Sequence, residues 1–307
     1  MNSLRQALND YLVVRRALGF KLARDGEMLP DFISFLERSD SAHITSALAV
    51  KWATQPRDVH PAWWASRLII VRGFAKYLQG IDPHHEVPPF ELLPHRRLRS
   101  APYIYEPAEI DALLRATTTL RSPLMSATYK TLIGLLAVAG LRVREAITLA
   151  EADVDRVRGT LLIRKTKFGK SREVPLHPTT TEALGGYAEL RDRLVARRRT
   201  KSFFVSTANT PLIYNNVHII FLRLVYAAGL ADRCPRRPRI HDLRHTFAVR
   251  TVLGWHRAGE DVEAKLPMLS AYLGHIGPSS TYWYLTAVPE LLQAATERLE
   301  RAWREKP

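Results

Sequence analysis

The sequence predicts a mainly helical α+β chain in two domains, with one small β-hairpin or sheet. Three observations carry that prediction. Apolar residues recur at helical spacing through the first eighty positions, with no strand pattern among them. One stretch, residues 160–176, places apolar and β-branched residues on both sides of a glycine-containing turn, as a hairpin requires. Between them lie Pro83, Pro88, Pro89, Pro94 and Pro102, a density that makes a chain extended and semi-rigid.

In chain order, Leu4, Leu8, Tyr11, Leu12 and Leu18 predict a helix over 4–18 that stops at Gly19. Met28, Leu29, Phe32, Ile33, Phe35 and Leu36 predict a second helix over 27–38. A third opens at Thr45 or Ser46 and closes before Pro56. A fourth follows Pro61 and runs through Trp63, Leu68, Ile70, Val71, Phe74 and Leu78 to Gly80. These four define a helical domain over 1–81. A linker over 82–105 carries Arg96, Arg97 and Arg99, which either follow a phosphate backbone or simply face solvent. The second domain spans 106–307. Ser122 or Pro123 opens its apolar helix through Leu132, Leu135, Leu136 and Val138 to Gly140. Past the hairpin, helices are expected at about 179–198, 215–228, 241–257, 267–273 and 289–304. No internal repeat or low-complexity tract interrupts this order.

A chain of 307 residues has room for two domains and a real core. Its 45 Lys and Arg against 30 Asp and Glu leave a net charge of +15. That surplus calls for an anionic partner, nucleic acid first and an acidic membrane surface second. No apolar run reaches spanning length, and the N-terminus lacks the charge, apolar and cleavage order of a signal peptide. One cysteine, Cys234, excludes an internal disulfide and a cysteine-based metal site, which fits a reducing cytoplasm or nucleoid.

Chemistry concentrates in the second domain. A phosphodiester under attack gathers charge on its non-bridging oxygens, and one guanidinium can bind two of them while staying ionised. Arg142 follows Gly140 at a turn between helices, and Arg244 sits early in a helix. Glu145, three residues after Arg142, either orients a basic neighbour or caps its helix start. His241 and Arg244 share a helix face, and an imidazole can accept or donate a proton near neutral pH. His245 lies on another face and reads as a packing or capping residue. His241, His245 and His275 lack the compact spacing of a metal site. Lys165, Lys167 and Lys170 crowd the hairpin turn, where a lysine can reach a groove or protonate a leaving 5′ oxygen. Tyr284 is the candidate nucleophile, able to form a covalent phosphotyrosine. Tyr282 is its rival, in a stretch that also holds Tyr272 and Trp283.

The pieces have an order. Gly140-Leu141-Arg142-Val143-Arg144-Glu145 comes first, then Lys167 seven positions before Val174 of Val174-Pro175-Leu176. His241-Asp242-Leu243-Arg244-His245 and Leu273-Gly274-His275 follow, with Tyr284 nine positions after His275. In order and register this resembles the catalytic domain of the tyrosine recombinases, the phage-integrase-type site-specific DNA recombinases. The resemblance covers roughly residues 106–300. The N-terminal helices are similar in size and type to the family's SAM-like core-binding domain, without a motif of their own.

The resemblance implies that Arg142 and Arg244 bind the scissile phosphate, with His241 and His275 hydrogen-bonding it and moving protons. It implies that Lys167 is the general acid, that Glu145 supports the site, and that Tyr284 becomes linked to the 3′ phosphate. It further implies double-stranded DNA recombination sites as partners and a homotetramer on paired sites, with or without partner recombinases. Strand exchange would pass through a Holliday junction, with no cofactor, no metal and no ATP. Lys165, Lys170, Arg96, Arg97 and Arg99 would contact DNA. Arg244 and His275 stand 31 residues apart, an interval like that of some transposon- and plasmid-borne members, and a longer loop is expected there. The front of the chain looks too short for an added arm-site-binding domain. The segment after Tyr284 is expected to dock on a neighbouring protomer. A type IB topoisomerase or a non-catalytic DNA-binding regulator are the alternatives. A cytoplasmic, nucleoid-associated protein of a prokaryotic mobile element is the expected setting.

Overall fold

The structure is a computed structural model, and it describes residues 4–94, 102–164, 171–195, 197–232 and 237–275. It is mainly helical with one three-stranded antiparallel sheet, the predicted fold class. The chain divides into two compact units, Met1–Ser100 and Ala101–Pro307.

The first unit holds α1 (Leu4–Ala17), α2 (Ala23–Arg38), α3 (Ser46–Ala53) and α4 (Pro61–Gln79). Their apolar faces meet in one core of Leu8, Tyr11, Phe32, Ile33, Trp52 and Phe74 with their neighbours. The stop signals act as their chemistry dictates. Gly19 takes φ 88°, beyond the end of α1, where a left-handed residue lets the last carbonyls be satisfied. Thr45 caps α3, its Oγ1 accepting from Leu48 N at 3.2 Å. Pro61 starts α4, where a missing N–H costs nothing. The second helix begins four residues earlier than expected and carries Pro30 in its interior. Residues 23–26 add no apolar face, so periodicity could not extend the helix back to them.

Residues 82–94, expected as extended linker, fold back onto this unit. Val87 and Leu93 pack against its core, Glu86 N donates to Ile44 O at 2.8 Å, and an Arg72 N–H donates to Pro88 O. Two prolines in a row forbid helix but not packing.

The second unit is built around α6 (Pro123–Ala139), against which α5 (Pro107–Ala116), α8 (Pro178–Leu194) and α10 (Asp242–Arg257) pack. Short α7 (Val143–Ile147), α9 (Tyr214–Ala227) and α11 (Val262–Leu273) complete its described helices. Strands β2 (Thr160–Ile163) and β3 (Arg172–Pro175) form the expected hairpin, with Leu161 opposite Val174 and Ile163 opposite Arg172. A two-residue β1 (Val154–Asp155) adds to the outer edge of β2. Two residues cannot display an alternation, so nothing in the sequence marked it. Tyr105 is fully buried here: its N–H donates to Thr246 Oγ1 at 2.9 Å and its hydroxyl to Arg239 O at 3.1 Å.

The interval between Arg244 and His275 differs from expectation. It is not a longer loop but two helices joined by the short turn 258–261. Helix α11 opens at Val262, capped by Asp261 Oδ1 accepting from Ala264 N at 3.2 Å, and runs through Pro267. Ala248, Val249, Val252, Val262, Leu266, Leu269 and Leu273 close a small core between α10 and α11. That burial outweighs the backbone hydrogen bond lost at Pro267. The expected helix at 289–304 lies outside the described residues.

Candidate active site

Three separate motifs converge, and Arg244 joins them. Arg244 lies one turn into α10 and is 2% exposed. Its Nη1 donates to Gly140 O at 2.7 Å and its Nη2 to Leu273 O at 2.6 Å. The ends of α6 and α11 are therefore held by one guanidinium. Both ends close on glycines with positive φ, Gly140 at 58° and Gly274 at 67°. A Cβ on Gly140 would stand 2.4 Å from Phe247 Cδ1, so only glycine lets α10 approach.

Arg142 enters from the Gly140 turn. Its Nη1 donates to Glu145 Oε1 at 2.7 Å and its Nη2 to Gly274 O at 2.9 Å. Glu145 also accepts from Arg142 N at 3.0 Å, the side chain reaching back to its own helix start. The orienting and capping roles expected as alternatives for Glu145 are both present. Burial pushes the Glu145 carboxyl up, but hydrogen bonds and charge from Arg172 and Arg142 outweigh it and hold it below its ordinary value.

Arg172 was not anticipated. Its Nη2 and Nη1 donate to the two Glu145 oxygens at 2.8 and 3.2 Å, and its Nε donates to Tyr272 O at 2.8 Å. It ties β3, α7 and α11 together. A Cβ on Gly274 would meet Arg172 Nη1 at 2.7 Å. A signal was available: Arg172 alternates with buried Val174 and pairs with buried Ile163, so it sits on the inward face of the hairpin. A charge on such a face needs a buried partner.

His241 immediately precedes α10, with its ring edge-on to that of His245 at 4.8 Å between centroids. Asp242 is fully buried, accepting from Arg239 N and Nη2, each at 2.8 Å, which fixes the start of this helix. His275 follows Gly274, its N–H donating to Ser270 O at 2.9 Å. Burial, then the Arg244 charge, lowers His241 and His275 from 6.5 to about 4. Burial and the neighbouring His241 lower His245 to about 3. All three imidazoles are thus neutral near pH 7.

Five of the expected site residues, Arg142, Glu145, His241, Arg244 and His275, are thus described and lie on linked elements. Lys167, Tyr284, Lys165, Lys170, Arg96, Arg97 and Arg99 lie outside the described residues, as does Tyr282. What is described can hold an anion: two guanidiniums at helix ends and neutral imidazoles beside them.

Residues 104–290 match the model of the phage integrase family. The chain is 42% identical, over the full length of both, to y4rB, described as an integrase/recombinase, of Sinorhizobium fredii strain NGR234. Its fold is similar to that of the XerH site-specific recombinase bound to a palindromic difH substrate (TM-score 0.65, 20% identity, 88% of this chain and 77% of that one). It is equally similar to the Tn1549 transposon integrase in complex with a circular intermediate DNA (TM-score 0.65, 16% identity, 97% of this chain and 100% of that one). From the family match and the full-length relative, the chain belongs to the phage integrase family and is a tyrosine-type site-specific recombinase.

Proposed function

We propose that this recombinase cleaves and rejoins double-stranded DNA through a 3′-phosphotyrosine on Tyr284, in a transposase-type reaction that passes through a Holliday junction. One observation carries the reading: Arg244 bonds the carbonyls of Gly140 and Leu273, so the motifs around Arg142, Arg244 and His275 share one place.

In this mechanism Arg142 and Arg244 bind the non-bridging oxygens of the scissile phosphate and stabilise the charge that develops there. The Tyr284 phenolic oxygen attacks phosphorus, and its proton passes to a neutral imidazole, His241 or His275. The bond from phosphorus to the 5′ oxygen breaks, and Lys167 supplies that oxygen's proton. One phosphodiester is exchanged for another, so the 5′ hydroxyl of a second duplex can reverse the step without ATP. Arg172 and Glu145 are positioning residues, since they act on the phosphate only through Arg142 and the Gly274 turn. The helical unit and the catalytic domain, 106–307, would each bind the duplex, as would the basic end of the segment 82–105. Arg96, Arg97, Arg99, Lys165 and Lys170 would contact DNA, and four copies would act on two paired sites. The similarity of the fold to that of DNA-bound recombinases supports DNA as the partner. A cytoplasmic, nucleoid-associated location follows from such a substrate.

The test is a suicide duplex, nicked beside the cleavage point and carrying the element's own terminal sequence. A denaturation-resistant adduct that maps to Tyr284 is expected. An adduct on Tyr282 would move the nucleophile by two positions. Tight binding to cognate DNA with no adduct in any register would overturn the cleavage reading.

A further inference from the structure

We propose that His43, Asp82 and His84 form a binding site for a zinc-class divalent cation in the N-terminal helical unit, joining the segment before α3 to the turn after α4. The candidate donor atoms, one from each residue, all lie within 4.8 Å of one another. His43 Nε2 is 3.2 Å from Asp82 Oδ2, and His84 Nδ1 is 2.7 Å from Asp82 Oδ1. Donors around a tetrahedral zinc, at about 2.0–2.1 Å from the metal, stand about 3.3 Å apart. The two spacings to Asp82 lie below that value, and the widest of the three separations, at most 4.8 Å, closes on binding. Two imidazole nitrogens and a carboxylate suit zinc and cobalt, whereas calcium or magnesium would ask for more oxygens. Three protein ligands leave one position for water.

The surroundings hold the ligands in place. His84 N donates to Asp82 Oδ1 at 3.0 Å, presetting the turn. Ile44 N donates to His85 Nδ1 at 3.1 Å, and Ser46 N to Glu86 Oε2 at 2.7 Å. With the bond from Glu86 N to Ile44 O, these stitch the two ligand-bearing segments together. The buried His85 ring packs edge-on against His43, 5.2 Å between centroids. With its Nδ1 committed to Ile44, His85 backs the site rather than ligating it. Without a metal, the ion pairs of Asp82 with His43 and His84 join side chains 38–80% exposed and contribute little. With one, both segments are crosslinked.

The full-length untagged protein, stripped on a chelating resin, would be titrated with Co²⁺ by visible absorption and then with Zn²⁺ by calorimetry. Saturable binding with a four-coordinate cobalt spectrum is expected, together with a melting temperature that rises with Zn²⁺. His84→Ala removes an exposed side chain and leaves the fold intact. It should weaken binding more than about 100-fold, beyond the roughly 10- to 100-fold that losing a merely supporting partner can cost. Asp82→Asn should do likewise, while His241→Ala should bind as the parent does. Absence of saturable binding, or binding that survives His84→Ala and Asp82→Asn unchanged, would overturn the site. Loss of binding in His241→Ala alone would assign the metal to the other unit and overturn it equally.

Discussion

Arg244 shows how much one side chain does in this molecule. It is buried, and its two terminal nitrogens donate to the carbonyls of Gly140 and Leu273. A lysine there keeps the charge but cannot reach both carbonyls in a fixed plane. Arg244→Lys should therefore lower the cleavage rate about 100- to 1000-fold while DNA binding survives, a split visible by comparing adduct formation with gel retention. Arg172 works by position. Removing it leaves buried Glu145 with only Arg142 as partner, and Arg172→Ala should cost about 3 kcal/mol of stability, measured by urea unfolding. Arg172→Lys should recover part of the stability but not the cleavage rate, because one ammonium cannot bond both carboxylate oxygens and the Tyr272 carbonyl. The histidines set a pH dependence. Unfolded, each takes up a proton near 6.5; folded, His241 and His275 resist until about 4 and His245 until about 3. The unfolded state then binds more protons below 6.5, so their contribution is complete above that value and is lost as the pH falls toward 4. Urea midpoints between pH 7 and 4 should decline, and His245→Asn should flatten the slope.

At the scale of elements, the ends of helices matter more than their middles. Gly140 and Gly274 end α6 and α11 in the left-handed region, and each stands where another element comes close. Gly140→Ala would meet strain of about 1–2 kcal/mol from its φ and a clash with Phe247 besides, so a loss above about 2 kcal/mol is expected in thermal unfolding. Gly274→Ala should push the Arg172 guanidinium off Glu145, and the cleavage rate should fall with DNA binding retained. Elements were legible where their signals were local. Thr45, Pro61, Ser122 and Gly140 are read as caps and stops because capping depends on the residue at the spot. The hairpin was legible from its alternation. Helix α11 was read short because Pro267 looks like a helix start, and only its packing against α10 explains why the helix begins at Val262. The fold-back of residues 82–94 was hidden for the same reason: Val87 and Leu93 find their partners across the first unit, not beside them.

For the whole molecule, the net charge of +15 is the property most open to measurement. Each phosphate neutralised releases counterions, so DNA affinity should fall steeply and linearly in log–log form as salt rises. Contacts to six or more phosphates would cost about 10³-fold or more between 50 and 200 mM salt; a flat response would contradict a phosphate-dominated interface. The chemical identity of the site was legible because the reaction demands particular residue types, and Arg142, His241, Arg244 and His275 stand in short motifs whose order survives without coordinates. Charge, helix periodicity, caps and the hairpin turn depend on neighbours within a few positions, so the linear chain specified the fold class, the element types and those candidates. Arg172 beneath Glu145, the single guanidinium shared by Gly140 and Leu273, and the depressed imidazoles arise between segments up to 132 residues apart. Those were decided only when burial of the apolar faces brought α6, α7, β3, α10 and α11 together, because burial is what desolvates the histidines and brings the partners of each buried charge within reach.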